Sequence, residues 1–284
     1  MEKKVIKAYA KINLTLDCLG KMPDGYHELE MIMSEIPLYD TVTLQKSDKI
    51  SVKTNLSYLP DNNKNIAFKA AKAFFEYTEI RGGVKIAIDK KIPVSAGLAG
   101  GSTDGAAVLK GLNEMYGVGL TQEELEEIGN SVGKDIPFCL KGGVCLAQGT
   151  GNILTPIGNM PECFMVLVKP DNINVSTAEI FAKIDSAKIE LHPHTFGAVE
   201  CIKNNDLKGL SQRMYNVMEK VTAQLHPVIT EIKNTLVDKG ALGAVMSGSG
   251  PSVFGLFDCE KSAKKASNYF KKIYKQTYLL KINV

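Results

Sequence analysis

The stretch PVSAGLAGGSTDGAA, Pro93 to Ala107, decides how the rest of the chain is read. Eight of its fifteen residues are Gly or Ala, and none is Lys or Arg. Glycine loses the most conformational freedom on ordering, so Gly97, Gly100, Gly101 and Gly105 are expected where another group must approach the backbone closely. The alternation of Val84, Ile86 and Ile88 upstream predicts a strand; AAVLKGLNEMYG downstream predicts a helix starting near Ser102 and ended by Gly117. A strand, a small-residue loop and a helix N-terminus together present main-chain N–H groups to an anion. Two other phosphate-binding designs are excluded. No Lys follows a glycine pair in the loop, as G-x-x-x-x-G-K-[ST] requires, and the spacing is not G-x-G-x-x-G. On its own the loop leaves two readings open: an anion cradle of peptide dipoles with no cation inside it, or a tightly packed strand-to-helix turn.

The chain around this loop reads as an ordinary enzyme-sized one. Its 284 residues suit two domains better than one. A net charge of +3, from 34 basic and 31 acidic residues, is too slight a bias to imply nucleic acid or a membrane surface. The longest apolar run, CFMVLV at 163–168, falls far short of the ~20 residues of a membrane span. The opening MEKKVIKAYAK is too polar for a secretory signal, so a cytoplasmic location is expected. Cys18, Cys139, Cys145, Cys163, Cys201 and Cys259 include no C-x-x-C pair and read as small buried hydrophobes. The four histidines are too dispersed for a zinc cluster, and HPH at 192–194 reads as loop.

AYAKINLTLDCLG predicts a half-buried strand, with Ala10, Ile12, Leu14 and Leu16 on one face and Lys11, Asn13 and Thr15 on the other. DTVTLQ and ISVKT predict two short strands. Residues 65–79 predict a helix with Ile66, Ala70 and Phe74 beside Ala67, Ala71 and Phe75. Thr121 with Glu124 predicts a capping box. The second half predicts a strand FMVLVKP and helices at 205–221 and 226–239. It continues with two strands joined at Gly248–Ser249–Gly250, a basic helix at 261–274 and a last strand TYLLKINV. Strands and helices do not alternate strictly, so α+β in two halves is expected over a doubly wound parallel sheet. The boundary is expected between 1–153 and 154–284.

The loop resembles the P-x-x-x-G-L-G-S-S-A-A loop of the galactokinase, homoserine kinase, mevalonate kinase and phosphomevalonate kinase (GHMP) superfamily. The resemblance runs nearly end to end. Three further blocks carry it: AYAKINLTLDCLGKMPDGYHELE (8–30), VGKDIPFCLKGGVCLAQGTG (132–151) and MSGSGPSVFGLF (246–257). The first block is the most specific. It resembles the branch that phosphorylates the 2-hydroxyl of a cytidine diphosphate-linked methylerythritol, in the non-mevalonate route to isoprenoid precursors. The fold so implied has a ribosomal-protein-S5-domain-2-like N-terminal half and a ferredoxin-like C-terminal half, with the active site in the cleft between them. One departure is visible. Ala99-Gly100-Gly101-Ser102-Thr103-Asp104 stands where the superfamily has a plain G-S-S-A, which leaves side-chain roles at Thr103 and Asp104 open.

The resemblance implies ATP as co-substrate, held by Pro93, Val94, Ser95, Ala96, Gly97, Leu98, Ala99, Gly100, Gly101, Ser102 and Thr103, with adenine near Asn65. Mg²⁺ is implied by any ATP-dependent transfer and keeps several of its waters, so few protein ligands are needed; Ser102 is the candidate. Asp135 reads from sequence either as a helix-end residue or as the carboxylate that takes the acceptor's proton. The resemblance makes it the catalytic base and Lys11 its electrostatic partner, although a strand Lys ordinarily faces solvent. Tyr26 and His27, after the turn signal Asp24-Gly25, supply an aromatic face and a hydrogen-bonding edge suited to a nucleobase. The resemblance assigns them to cytosine, with Phe181 closing the other side. It places Asn13 and Thr177 on the diphosphate or erythritol end, and Gly248, Ser249 and Gly250 around the acceptor. A small-molecule substrate, no nucleic acid, no membrane, and a monomer or weak homodimer are expected. A homoserine- or mevalonate-type kinase and a non-catalytic nucleotide-binding regulator are the alternatives.

Overall fold

The computed structural model describes residues 3–186 and 189–282. The chain falls into two compact units, one of residues 1–11, 38–94 and 99–142, the other of residues 12–37, 95–98 and 143–284. Two long strands, β1 (Lys3–Lys21) and β2 (His27–Ser47), contribute residues to both.

In the first unit, β3 (Ser51–Thr54) pairs parallel with β4 (Gly83–Asp89), and β4 pairs antiparallel with β2 from Thr41 to Ser47. Four helices accompany them: α1 (Ile66–Thr78), α2 (Gly100–Tyr116), α3 (Gln122–Val132) and α4 (Ile136–Lys141). Their apolar stripes make one core. Val42, Leu44, Val84 and Ile86 of the strands meet Ala67, Ala70, Phe74, Val108, Leu112 and Ile128 of the helices. Small residues let α1 and α2 approach: a Cβ on Gly101 would sit 2.9 Å from Ile66 Cδ1, and one on Gly105 3.2 Å from Ile66 Cγ2 and from Ile136 Cδ1. The predicted capping box starts α3, with Thr121 and Glu124 exchanging both bonds.

In the second unit, β7 (Cys163–Lys169), β9 (Gly243–Met246), β10 (Val253–Phe257) and β11 (Gln276–Ile282) form an antiparallel sheet in the order β11-β7-β10-β9. Residues 283–284 of the predicted last strand lie outside the described residues. The helices α9 (Val228–Asp238) and α10 (Glu260–Phe270) pack on this sheet through Ile229, Ile232 and Leu236 and through Ala263, Ala266 and Phe270. This unit also holds the hairpin of β5 (Val144–Gly149) and β6 (Ile153–Gly158), whose β5 pairs with β2 over Leu29–Ser34. Helices α5 (Thr177–Ser186), α6 (Thr195–Lys203), α7 (Leu207–Arg213) and α8 (Val217–Leu225), and the short strand β8 (Tyr215–Asn216), complete it. The α+β class holds.

Three local expectations need correction. The helix expected over 205–221 is broken. Met214 turns extended, Tyr215 and Asn216 pair with Thr15 and Leu16 of β1, and Asn216 caps a new helix by accepting from Met218 N–H. The helix after the glycine loop begins at Gly100, two residues early, because Ala99 takes a left-handed φ of 55° and serves as its N-cap. Finally, β1 is buried on both faces from Ala10 to Cys18. Its polar row is interior rather than solvent-facing: Lys11 is 5% exposed, Asn13 and Thr15 0%, Asp17 4%.

Candidate active site

Burying a polar row is tolerable only where its members find partners. Thr15 Oγ1 accepts from Ile32 N–H, Asn13 N–H donates to Ser247 Oγ, and Asp17 Oδ1 accepts from Cys18 N–H and faces His192 Nδ1 at 2.8 Å. Lys11 Nζ lies 3.8 Å from Asp135 Oδ1. Asp135 stands at the N-terminal end of α4, yet its carboxylate caps no helix N–H. Removing the capping role leaves a carboxylate that is 39% exposed beside an ammonium that is 6% exposed. Such a pair presents one oxygen acceptor and one fixed positive charge to a small molecule.

The glycine loop passes through a run of turns in which Ser95, Gly97 and Ala99 have φ of 51°, 73° and 55°. Two of the three carry side chains, so the conformation is held against strain by its surroundings. Gly97 is fixed by packing: a Cβ there would fall 2.0 Å from the carbonyl oxygen of Ser247, and Gly97's own carbonyl accepts from Ser247 Oγ at 2.9 Å. Ala96 and Leu98 are buried. The loop is therefore a close-packed strand-to-helix turn, one of the two readings the sequence allowed. No side chain caps α2, which leaves the N–H groups at Gly100, Gly101 and Ser102 to an outside acceptor.

The remaining residues divide by what already occupies them. Thr103 Oγ1 donates to Tyr9 C=O, and Thr103 N–H to Ala99 C=O. Asn65 caps α1 by accepting from Ala67 N–H and donates to Pro60 C=O. Ser102 Oγ lies near Gly133, two residues before Asp135. Pro93 is buried and Val94 half-buried at the loop's entry. No group of three or more His, Cys, Asp or Glu that could hold a metal exists among the described residues. A hydroxyl such as Ser102 and a carboxylate such as Asp135 remain, both hard oxygen donors of the kind Mg²⁺ accepts beside phosphate oxygens and water.

In the second unit, the Asp24-Gly25 signal forms a turn in which Asp24 Oδ1 accepts from Tyr26 N–H. Tyr26 is 53% exposed. His27 is stacked on Phe181 of α5, with centroids 4.6 Å apart, and its Nε2 faces Asp185 Oδ1 at 2.5 Å. Lys21 Nζ reaches the other oxygen of Asp185 at 2.6 Å. Bonds from Lys21 and then His27 hold the Asp185 carboxyl below the usual range. Thr177 Oγ1 meets Ser249 Oγ at 2.9 Å. The Gly248–Gly250 turn is tied down by Asn216 Nδ2, which donates to the carbonyls of Met246 and Gly248, and by Thr222 Oγ1, which donates to Ser249 C=O. Sequence reasoning missed Asp185, Lys21, Asn216 and Thr222. Nothing local marks them, because each acts on residues far away in the chain.

Comparison with known proteins supplies the class. The models "GHMP kinases N terminal domain" and "GHMP kinases C terminal" match residues 65–143 and 198–276. The chain belongs to the GHMP kinases. Within them it is 46% identical over 282 residues to a 4-diphosphocytidyl-2-C-methyl-D-erythritol kinase of Alkaliphilus metalliredigens, covering 99% of this chain and 97% of that one. It is 45% identical over 274 residues to the enzyme of the same name from Clostridium novyi, covering 96% and 98%. A crystal structure of 4-(cytidine 5'-diphospho)-2C-methyl-D-erythritol kinase superposes with a TM-score of 0.82 at 26% identity, over 99% of this chain and 100% of the other. A homoserine kinase from Cytophaga hutchinsonii superposes with a TM-score of 0.78 at 20% identity, over 100% and 96%, which carries the fold alone.

Proposed function

We propose that this chain transfers the γ-phosphoryl group of ATP to the 2-hydroxyl of 4-diphosphocytidyl-2-C-methyl-D-erythritol, a step toward isoprenoid precursors. The observation that carries the mechanism is Asp135, a carboxylate with no capping duty beside the buried ammonium of Lys11. In the transfer the acceptor O–H bond breaks, a new O–P bond forms, and the bond between the β,γ-bridging oxygen and the γ-phosphorus breaks to release ADP. Asp135 accepts the hydroxyl proton through Oδ1 or Oδ2. Lys11 offsets negative charge growing on the acceptor oxygen. In a loose transition state the nucleophile needs little activation, so both residues also serve to hold the hydroxyl in line. The N–H groups of the loop and of the start of α2 receive the phosphates, and the close-packed glycines fix where those groups point. When bound, Mg²⁺ would neutralise phosphate charge, with Ser102 as its candidate protein ligand. Tyr26, His27 and Phe181 receive the pyrimidine, whose face and edge match two aromatic rings and a ring nitrogen. Thr177, Ser249 and Asn13 serve the polar remainder of the acceptor.

The test is ADP release with Mg-ATP and this acceptor, for the native chain and for Asp135→Asn and Lys11→Ala. Acceptor-dependent turnover, lost in both variants while ATP binding persists, is the expected result. A folded native chain that binds ATP yet leaves this acceptor untouched, while phosphorylating homoserine or mevalonate, would sink the substrate assignment.

A further inference from the structure

At the β11 edge of the sheet in the second unit lies a cavity that no step above uses. It has a volume of about 420 Å³ and is lined by Lys169, Asp171, Asn172, Lys275 and Gln276. Local structure brings these residues together. Lys169 ends β7, and Gln276, its register partner, begins β11, so their side chains share one face of the sheet. Beyond Lys169 the chain leaves the strand in a turn where Asn172 takes a left-handed φ of 59°, a conformation Asn tolerates better than most residues. Lys275 N–H donates to Asp171 Oδ2 at 3.4 Å, which ties that turn to the segment entering β11.

Lys169 is the member that the fold leaves unserved. It is 6% exposed, and lysine is seldom so buried without a partner. Among the described residues its ammonium makes no hydrogen bond and no ion pair, yet the protein does not seal it in, so it opens onto the cavity. Burial lowers its pKa, and the charge of Asp171 opposes that only in part. The side chains of Asn172, Lys275 and Gln276 are likewise without hydrogen bonds among the described residues. Two ammoniums and two amides therefore converge on one hollow with nothing of the protein's own to bind.

The ligand class follows from charge and shape. Lys169 and Lys275 against Asp171 leave one positive charge in excess, which asks for an anion. Both cations are ammoniums, compact point charges suited to a phosphate; the lining has no Arg, whose planar fork matches a carboxylate. The volume is that of a small organic ligand rather than of an inorganic ion. The amides of Asn172 and Gln276 offer both donors and acceptors to hydroxyl groups.

We propose that this cavity binds a small hydroxylated phosphate monoester, its phosphate on Lys169 and Lys275 and its hydroxyl groups on Asn172 and Gln276. Such a ligand gives the buried ammonium the hydrogen-bonded partner that the fold does not. The site lies wholly in the second unit, shares no residue with the 93–103 loop, and does not depend on the kinase reading.

The probe is glycerol 3-phosphate, titrated into the isotope-labelled native chain and followed through backbone amide shifts, with glycerol and inorganic phosphate as references. Saturable shifts at 169–172 and 275–276 are expected, absent with glycerol and weaker with inorganic phosphate. Lys169→Met keeps the length of the side chain and removes its charge, so the Kd should rise at least about tenfold, the worth of one charge-assisted hydrogen bond. Should that variant not fold, Lys275→Met, at an exposed position, decides in its place through a severalfold rise in Kd. No shift at these residues with millimolar ester, or a Kd unmoved by both substitutions, overturns the site. Shifts confined to residues 93–103 would put the phosphate on the glycine loop and overturn it equally. Inorganic phosphate binding as tightly as the ester would overturn the ligand class.

Discussion

The rings of His27 and Phe181 lie parallel to within 17°, their centroids 4.6 Å apart. His27 belongs to the start of β2 and Phe181 to α5, so two distant segments build one aromatic step, with Asp185 of α5 fixing the imidazole edge through Nε2. A pyrimidine placed here gains stacking surface from Phe181. Base–aromatic stacking contributes about 1–3 kcal/mol, so Phe181→Ala is expected to raise the KM for the acceptor roughly 5- to 150-fold. Steady-state kinetics should show kcat and the KM for ATP nearly unmoved; a fall confined to kcat would remove Phe181 from acceptor binding.

Lys11→Ala should act on the other parameter. On the role proposed for Lys11 beside the acceptor oxygen, its loss is expected to lower kcat by about 10²-fold or more, with the KM for ATP within a few-fold. Stability should change little, because Asp135 is 39% exposed and water replaces the lost ammonium. Rapid-quench measurement of the chemical step, beside a urea titration, separates the two effects.

Gly97→Ala and Gly117→Ala form a matched pair. Both positions have positive φ, 73° and 65°, and a left-handed residue with a side chain costs about 1–2 kcal/mol. A Cβ at Gly117 meets nothing within 4 Å, whereas one at Gly97 meets Ser247 O at 2.0 Å. Gly117→Ala should therefore show the conformational cost alone by urea unfolding. Gly97→Ala should lose more, and should also weaken ATP binding.

The buried Asp104 makes a signed prediction for stability. Its carboxyl titrates near pH 3.8 when unfolded and near 7 when folded, burial raising it further than Lys90 draws it down. Between those values the native state holds a proton that the unfolded state has released, so this group's contribution falls as pH rises through about 4 to 7. It is level beyond either end. Asp104→Asn, isosteric with the protonated carboxyl, removes this slope, so the urea midpoints of the two proteins should lie close at the acid end and separate as pH rises across that window, the variant holding the higher one.

The sequence carried the glycine loop, the start of α3, the β9–β10 turn and the pairing of Lys11 with Asp135, each through a local pattern or a family block. It misjudged β1, where alternation read as a core face and a wet face. Alternation reports polarity, and only the partners at Ile32, Ser247 and Asp135 make the polar face interior. The break at Met214–Asn216 was hidden for a similar reason: the stop is set by pairing with Thr15 and Leu16, some two hundred residues away. The loop also looked free of cations, correctly so within 93–107, while Lys90 waits three residues upstream with its ammonium on Gly100.

The doubly buried β1 has a consequence for how the chain guards its own chemistry. Side chains of a strand alternate, so a register slip of one residue would exchange the row of Lys11, Asn13, Thr15 and Asp17 for that of Ala10, Ile12, Leu14 and Leu16. Four buried polar groups would face oil and an equal number of apolar ones would face their abandoned partners. A misaligned copy would thus fail to fold rather than survive as a stable enzyme with its lysine astray. The Lys11–Asp135 geometry is proofread by the core.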